Sequence, residues 1–336
     1  ALTNRQLIGQ LEDLFESFIK LINTAIDEKS PYTGGHCQRV PVLTMLLAEA
    51  ADKVTEGPLA DFHLTDKDRY ELKISALLHD CGKITTPVHV VDKATKLQTL
   101  FDRIALVDTR FEVLKRDAEI AMLRAIAAGE SAAEAQARFA AEIVTLDDER
   151  EFLRRANVGG ERMSDADIER VKAIAESRRW RDTAGADSAF LTTNEVENLT
   201  IRAGTLTAAE REIINHHIVA TIKMLEQLPW PKHLKNVPEY AGGHHERMDG
   251  KGYPRGLTRE QMSWQARMMG IADIFEALTA KDRPYKEGMK LSQALEIMGK
   301  FESNGHIDPD LFKVFESGGV FGAYAREFLD SSQIDV

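Results

Sequence analysis

The chain has 336 residues, 43% hydrophobic and 29% charged, enough for about two domains at about 150 residues each and too apolar for wholesale disorder. Its 43 Lys and Arg against 54 Asp and Glu give a net charge of −11, which excludes non-specific duplex binding because the phosphate backbone would repel it. Small anions stay eligible wherever basic residues gather. No run approaches the roughly 20 apolar residues of a membrane span, and no signal peptide is recognised. Two cysteines, Cys37 and Cys81, exclude a disulfide scaffold and suit a reducing cytoplasm, the expected location.

Helical periodicity runs through nearly the whole chain. Leu11, Phe15, Phe18, Ile22 and Ala25 alternate steps of four and three, a heptad-like stripe. Residues 1–26 therefore read either as an amphipathic helix laid on its own domain or as a signalling-type helix. In the second reading the helix pairs with a second copy and carries the output of an upstream sensor. The helical pattern continues from Leu46 to Leu78, broken near Gly57-Pro58, with Thr65 or Asp66 as N-cap of the run ending in LLHDCGK. Leu100, Ile104, Val107, Phe111, Leu114, Ala118 and Ala121 then repeat the four-three steps among charged residues. Further helices are expected to about Ala156 and over Asp165–Trp180, so that 98–205 forms a long antiparallel helical arm. No run of alternating β-branched residues occurs, and the expected class is all-α.

Ten histidines are present, and their placement carries the chemistry. His79-Asp80 and His244-His245 are adjacent pairs, while His36, His217 and Asp273 stand singly on other expected helices. A lone histidine on an apolar face is ordinarily core. Two pairs with three spaced singles point instead to a metal site, and mixed imidazole and carboxylate donors suit Fe, Mn, Ni or Zn. Asp249 to Pro254 reads as a loop, with Gly250 and Gly252 permitting tight turns and Pro254 stiffening the exit.

Five stretches together resemble the HD-GYP family of cyclic-dinucleotide phosphodiesterases, a branch of the HD metal-dependent phosphohydrolases. They are PYTGGHCQRV (31–40), HDCGKI (79–84), LTAAEREIINHHI (206–218), HHERMDGKGYP (244–254) and ADIFEALTAKDRPYK (272–286). The resemblance implies an HD-domain helical bundle with a C-terminal GYP extension. Its catalytic domain would comprise 27–97 and 206–336, interrupted by the arm at 98–205. It makes His36, His79, Asp80, His217, His244, His245 and Asp273 the ligands of two divalent cations, Fe or Mn foremost, with Ni and Zn compatible. His216 is the alternative to His217. Asp80 would bridge the metals, and a metal-bridging hydroxide would attack the phosphodiester.

Lys83 is expected to contact the scissile phosphate or that hydroxide, and Arg283 and Lys286 to grip the phosphates. Tyr253 would pack on a base or brace the metal helices. Where some family members carry a third-metal glutamate this chain has Tyr32, and Glu28 lies two turns away, which favours two metals. The implied reaction is hydrolysis of cyclic di-GMP to linear pGpG or GMP. 3',3'-Cyclic GMP-AMP is the close alternative substrate. The other readings are a non-catalytic nucleotide-binding or protein-interaction module and a hydrolase of a nucleoside triphosphate or alarmone. A homodimer through the N-terminal helix or the arm is expected. The arm itself reads as a dimerisation element, a partner-docking site or a lid.

Overall fold

A computed structural model describes residues 2–29, 35–160, 162–281 and 288–336. In chain order the helices are α1 (Leu2–Lys29), α2 (His36–Ala51), α3 (Asp66–Leu78), α4 (Val88–Val91), α5 (Ile104–Ala127), α6 (Ala132–Asn157) and α7 (Asp165–Ser177). They continue with α8 (Thr193–Leu199), α9 (Ala208–Leu225), α10 (Val237–Gly242), α11 (Trp264–Thr279), α12 (Leu291–Ser303), α13 (Pro309–Ser317) and α14 (Val320–Phe328). Among the described residues the only sheet is a hairpin of β1 (Arg179–Arg181) and β2 (Asp187–Ala189), with Trp180 opposite Ser188. The class is all-α. The chain divides into two compact units, Ala1–Pro87 with Ile213–Val336, and Val88–Glu212.

The first unit is built on α2 and α11, whose apolar residues pack with those of α3, α13 and α14. Leu43, Leu47, Leu72, Met268, Ile271, Phe275, Phe315 and Tyr324 are fully buried there. Thr65, not Asp66, caps α3. Its hydroxyl accepts from the Asp68 amide at 3.3 Å, and the Asp68 carboxylate accepts from the Thr65 amide at 2.9 Å, a reciprocal capping box. In α1 the buried side chains are Ile19, Asn23 and Ile26, and Phe15 meets Trp230 edge-on at 6.2 Å. Leu11, Phe18, Ile22 and Ala25 of the expected stripe are exposed. The helix lies on its own unit, held by Glu16–Lys73 at 3.2 Å, and uses a face offset from the heptad stripe. Leu7, Leu11, Leu14, Phe18 and Leu21 remain as an exposed row at four-three spacing.

The second unit has a separate core of Leu97, Val107, Phe111, Leu146, Phe190 and Leu199 around the α5–α6 hairpin. The segments 88–97 and 206–212, expected with the catalytic domain, cluster with this unit. Buried Lys93 ties them to it, with Nζ 2.7 Å from Asn198 Oδ1 and 2.6 Å from Glu210 Oε2. The third expected arm helix stops at Ser177 rather than Trp180. Trp180 enters β1, where the Arg110 guanidinium lies 5.5 Å from its ring centroid, an exchange of helical for strand geometry that local periodicity does not register.

Candidate metal centre

The seven side chains foreseen as ligands converge in the first unit, each placed by its own local device. His36 opens α2 directly after Gly35, whose φ of 87° is reached without strain only by glycine. His79 caps the C-terminus of α3, and Asp80 (φ −107°, ψ 10°) ends it. The two side chains can therefore enter one space instead of diverging by about 100° as helical neighbours do. Cys81–Thr85 continue as a tight 3-10 turn. A Cβ on Gly82 would stand 2.0 Å from the His217 carbonyl oxygen, and the Gly82 amide donates to Thr221 Oγ1 at 2.9 Å. Only glycine lets this turn press so closely on α9, which carries His217. His244 and His245 follow the end of α10, and Asp273 lies on α11.

Asp80 sits at the middle of the cluster. Its Oδ2 is 3.1 Å from His36 Nε2 and 3.3 Å from His79 Nε2, while its Oδ1 is 3.3 Å from His217 Nε2. Asp273 Oδ1 is 3.3 Å from His36 Nε2, and His245 Nε2 is 3.2 Å from His217 Nε2. Three sets have donor atoms within 4.8 Å of one another: His36, His79 and Asp273; His217, His244 and His245; and His79, Asp80 and His244. The two Asp80 oxygens thus face two histidine groups.

The opposite ring nitrogens are anchored. Nδ1 of His79, His217 and His244 lies 2.7, 2.5 and 2.7 Å from the carbonyl oxygens of Ala76, Ile214 and Ala241. A carbonyl can only accept, so each Nδ1 donates to it and each Nε2 is turned inward. Burial, aided by His245 and His79, pushes His244 well below the usual histidine range, and burial pushes His245 down to about 4. Both are neutral donors at neutral pH. Burial alone would raise Asp80, but Lys83, His79, His217 and His36 beside it hold it well below the carboxylate range. Lys83 Nζ lies 2.6 Å from Asp80 Oδ2. Its own acidity is weakened by Asp80 and Asp273 against the effect of burial, so it stays charged.

This donor set fits divalent cations. Asp80 Oδ1 and His244 Nε2 are buried with no hydrogen-bond partner, a costly state for electron-pair donors. Bound cations would supply what these atoms lack, and mixed N/O donors suit Fe, Mn, Ni or Zn.

The alternative His216 is exposed whereas His217 is 4% exposed and lies among the other candidate ligands. Tyr253 stacks on His245, with ring centroids 4.8 Å apart and planes at 25°. Its loop is pinned by Glu246, whose carboxylate accepts from the Arg255 and Leu257 amides at 2.7 and 2.9 Å. Gly250 takes φ 73°, and a Cβ on Gly252 would stand 2.4 Å from the Arg247 nitrogen, so both glycines are required; Pro254 closes the turn. Cys37 and Cys81 are buried thiols pushed up to about 12 and about 11 by burial, packing residues rather than reactive groups. Arg283, Lys286 and Tyr32 lie outside the described residues, and Glu28 is exposed.

Sequence reasoning missed Glu276 and Arg39. Fully buried Glu276 holds His36 Nδ1 at 2.5 Å and receives Arg39 Nε at 2.8 Å. Burial opposes its ionisation, but His36 and Arg39 hold it down to about 2. The signal was present in the spacing: His36/Arg39 and Asp273/Glu276 are both i,i+3 pairs, hence one-face pairs on facing helices. Asp27 was missed as well. It is half-buried with Oδ1 unpartnered, and burial raises its carboxyl against the Gly35 amide and the His36 and Arg39 charges.

Two HD domain family models match this chain, one over residues 33–132 and the other over 190–311. A cyclic di-GMP phosphodiesterase of Pseudomonas aeruginosa is 36% identical over 136 residues, 40% of this chain and 32% of that protein. A 3'3'-cGAMP-specific phosphodiesterase of Vibrio cholerae is 26% identical over 305 residues, 90% of this chain and 39% of that protein. A cyclic di-GMP phosphodiesterase of Thermotoga maritima is 35% identical over 98 residues, 29% of this chain and 26% of that protein. The matched stretches span about a third of the length of the first two relatives. HD-domain sequence thus lies in both matched stretches of the chain, and its motifs resemble those of the HD-GYP type. No described helix is long and apolar enough to cross a membrane.

Proposed function

We propose that this chain hydrolyses a phosphodiester bond of a cyclic dinucleotide, cyclic di-GMP foremost, to pGpG or GMP. His36, His79, Asp80, His217, His244, His245 and Asp273 hold two divalent cations, iron or manganese. The observation that carries this reading is the pair of Asp80 oxygens directed at two separate histidine groups. When bound, two such ions supply an acidified water and neutralise phosphoryl charge. The remaining work falls to side chains. Glu276 and Arg39 fix the ring of His36, backbone carbonyls fix those of His79, His217 and His244, and half-buried Lys83 sets a permanent ammonium beside Asp80, where developing phosphate charge is stabilised. Arg283 and Lys286 add cations for the substrate phosphates, and Tyr253 braces His245.

A cyclic GMP-AMP substrate is favoured by one observation. The relative whose likeness takes in 90% of this chain, and so runs through the insertion, is the cGAMP-specific one. Product analysis on anaerobically purified protein loaded with Fe(II) or Mn(II), with both rings in one reaction, tests the function and the preference together. Consumption of either ring with linear products supports the reading. Protein that holds two metals and consumes neither overturns it.

The exposed row Leu7, Leu11, Leu14, Phe18 and Leu21 supports a homodimer through α1, because five apolar residues at four-three spacing match a coiled-coil seam. In this reading the helix carries input from an upstream sensor and the insertion receives partners. The two buried free thiols support a reducing, cytoplasmic setting.

A further inference from the structure

The second unit holds a concentration of positive charge that phosphodiester hydrolysis does not use. A cavity of about 290 Å³ is lined by Lys96, Arg155, Arg162, Arg170 and Arg202, with Asp167 as its one carboxylate among the described residues. In a chain of net charge −11, five cations around one concavity run against the overall composition. The walls are tied together by backbone hydrogen bonds: Lys96 N–H to Asn157 O at 2.8 Å, Met163 N–H to Arg202 O at 2.7 Å and Gly204 N–H to Gly160 O at 2.9 Å. A Cβ on Gly159 would stand 2.5 Å from Thr205 Cγ2, so the approach of these loops requires glycine, whereas a Cβ on Gly160 would meet nothing.

Two of the cations are already engaged. Arg202 pairs with Asp165 at 2.6 Å, and Arg170 pairs with Asp148 while lying 4.2 Å from the Phe152 ring centroid. The other three have no carboxylate within ion-pair distance among the described residues. Lys96 is the informative one, because it is 3% exposed. Among the described residues its Nζ reaches the Leu199 carbonyl oxygen at 3.1 Å and the Met163 sulfur at 3.2 Å, two partners for three donors. Burial pushes it down to about 8. Arg155 in the last turn of α6 offsets the helix dipole, and Lys96 tethers Leu199. A neutral donor would tether that carbonyl without the cost of desolvating an ammonium, so the tether alone does not account for a lysine.

We propose that this cavity binds a phosphorylated small molecule of up to mononucleotide size, its phosphate recognised by Lys96, Arg155 and Arg162. The volume lies at the small end of ligand pockets, and the concavity selects a discrete anion over an extended polyanion. The site is independent of the metal centre and of the reaction proposed for it.

Hydrogen–deuterium exchange on the metal-loaded full chain, titrated with inorganic phosphate and with GMP at ionic strength matched by chloride, tests the proposal. The expected result is saturable protection of backbone in 152–163 and 199–204. Protection by both probes means that phosphate alone is read, and protection by GMP only means that the nucleoside is read too; either upholds the site. The double variant Arg155→Gln/Arg162→Gln, on exposed side chains, should weaken this protection at least tenfold. Lys96→Met should abolish it while leaving the Tm of the ligand-free protein unchanged or raised. A lower Tm in Lys96→Met with full protection of the wild type retained by the double variant overturns the proposal. So does wild-type protein that neither probe protects.

Discussion

Both units are rich in charge, but they use it in opposite ways. On α5 and α6 the charges lie at the surface and pair with near neighbours: Arg154 with Asp108 at 3.0 Å, Lys115 with Asp147 at 2.6 Å, Arg116 with Glu112 at 3.5 Å. Such pairs contribute about 0–1 kcal/mol each, and their main effect is solvation. In the first unit His79 and Glu276 are fully buried and Asp80 is 2% exposed, and Asp80 Oδ1 and His244 Nε2 are buried without a hydrogen-bond partner. Burying charge in this way works against stability unless partners compensate. Local rules are broken where function requires it, so buried charges gathered in one space mark the candidate site better than the density of surface charge does.

Four substitutions would break or sharpen that contrast. The largest effect is expected from Asp80→Ala, which removes the carboxylate shared by both histidine groups. Turnover should fall at least about 10³-fold together with bound metal measured by elemental analysis; near wild-type turnover would discard the assigned centre. Glu276→Gln keeps the shape of the residue but weakens its hold on His36. A loss of about 10–100-fold in metal affinity is expected, with His216→Ala as the unaffected control, and equal metal titrations for both variants would remove Glu276 from the site. Gly82→Ala forces a methyl against the His217 carbonyl. Thermal or denaturant unfolding should register about 1–3 kcal/mol of destabilisation, and an unchanged midpoint would mean that the turn and α9 are not so close. Arg154→Ala should be the mildest, below about 1 kcal/mol and without change in turnover; a large loss would show that the arm's surface charge is more than solvation.

The particular residues show how far local information reaches. Thr65 was legible as a cap because capping depends on residues three apart. The candidate ligands were legible because His-Asp and His-His pairs are scarce and the flanking motifs resemble those of a known family. Glu276 escaped because its role comes from a contact across the fold: it faces a histidine 240 positions away. The stripe on α1 was read at the right period but on a neighbouring face, since any long apolar helix offers several such rows and only the surface it meets selects one.

By itself, then, the sequence determined the all-α class, the residue types at the candidate metal centre and the glycines that its tight turns require. These follow from period, local sterics and chemical identity. The tertiary structure decided that His217 and not His216 turns inward, that α1 buries Ile19 and Ile26, that Arg39 and Glu276 steer His36, and that Lys96 shares a cavity with Arg155 and Arg162. Adjacent helical residues point about 100° apart, and nothing within either residue tells which direction the rest of the chain will fill.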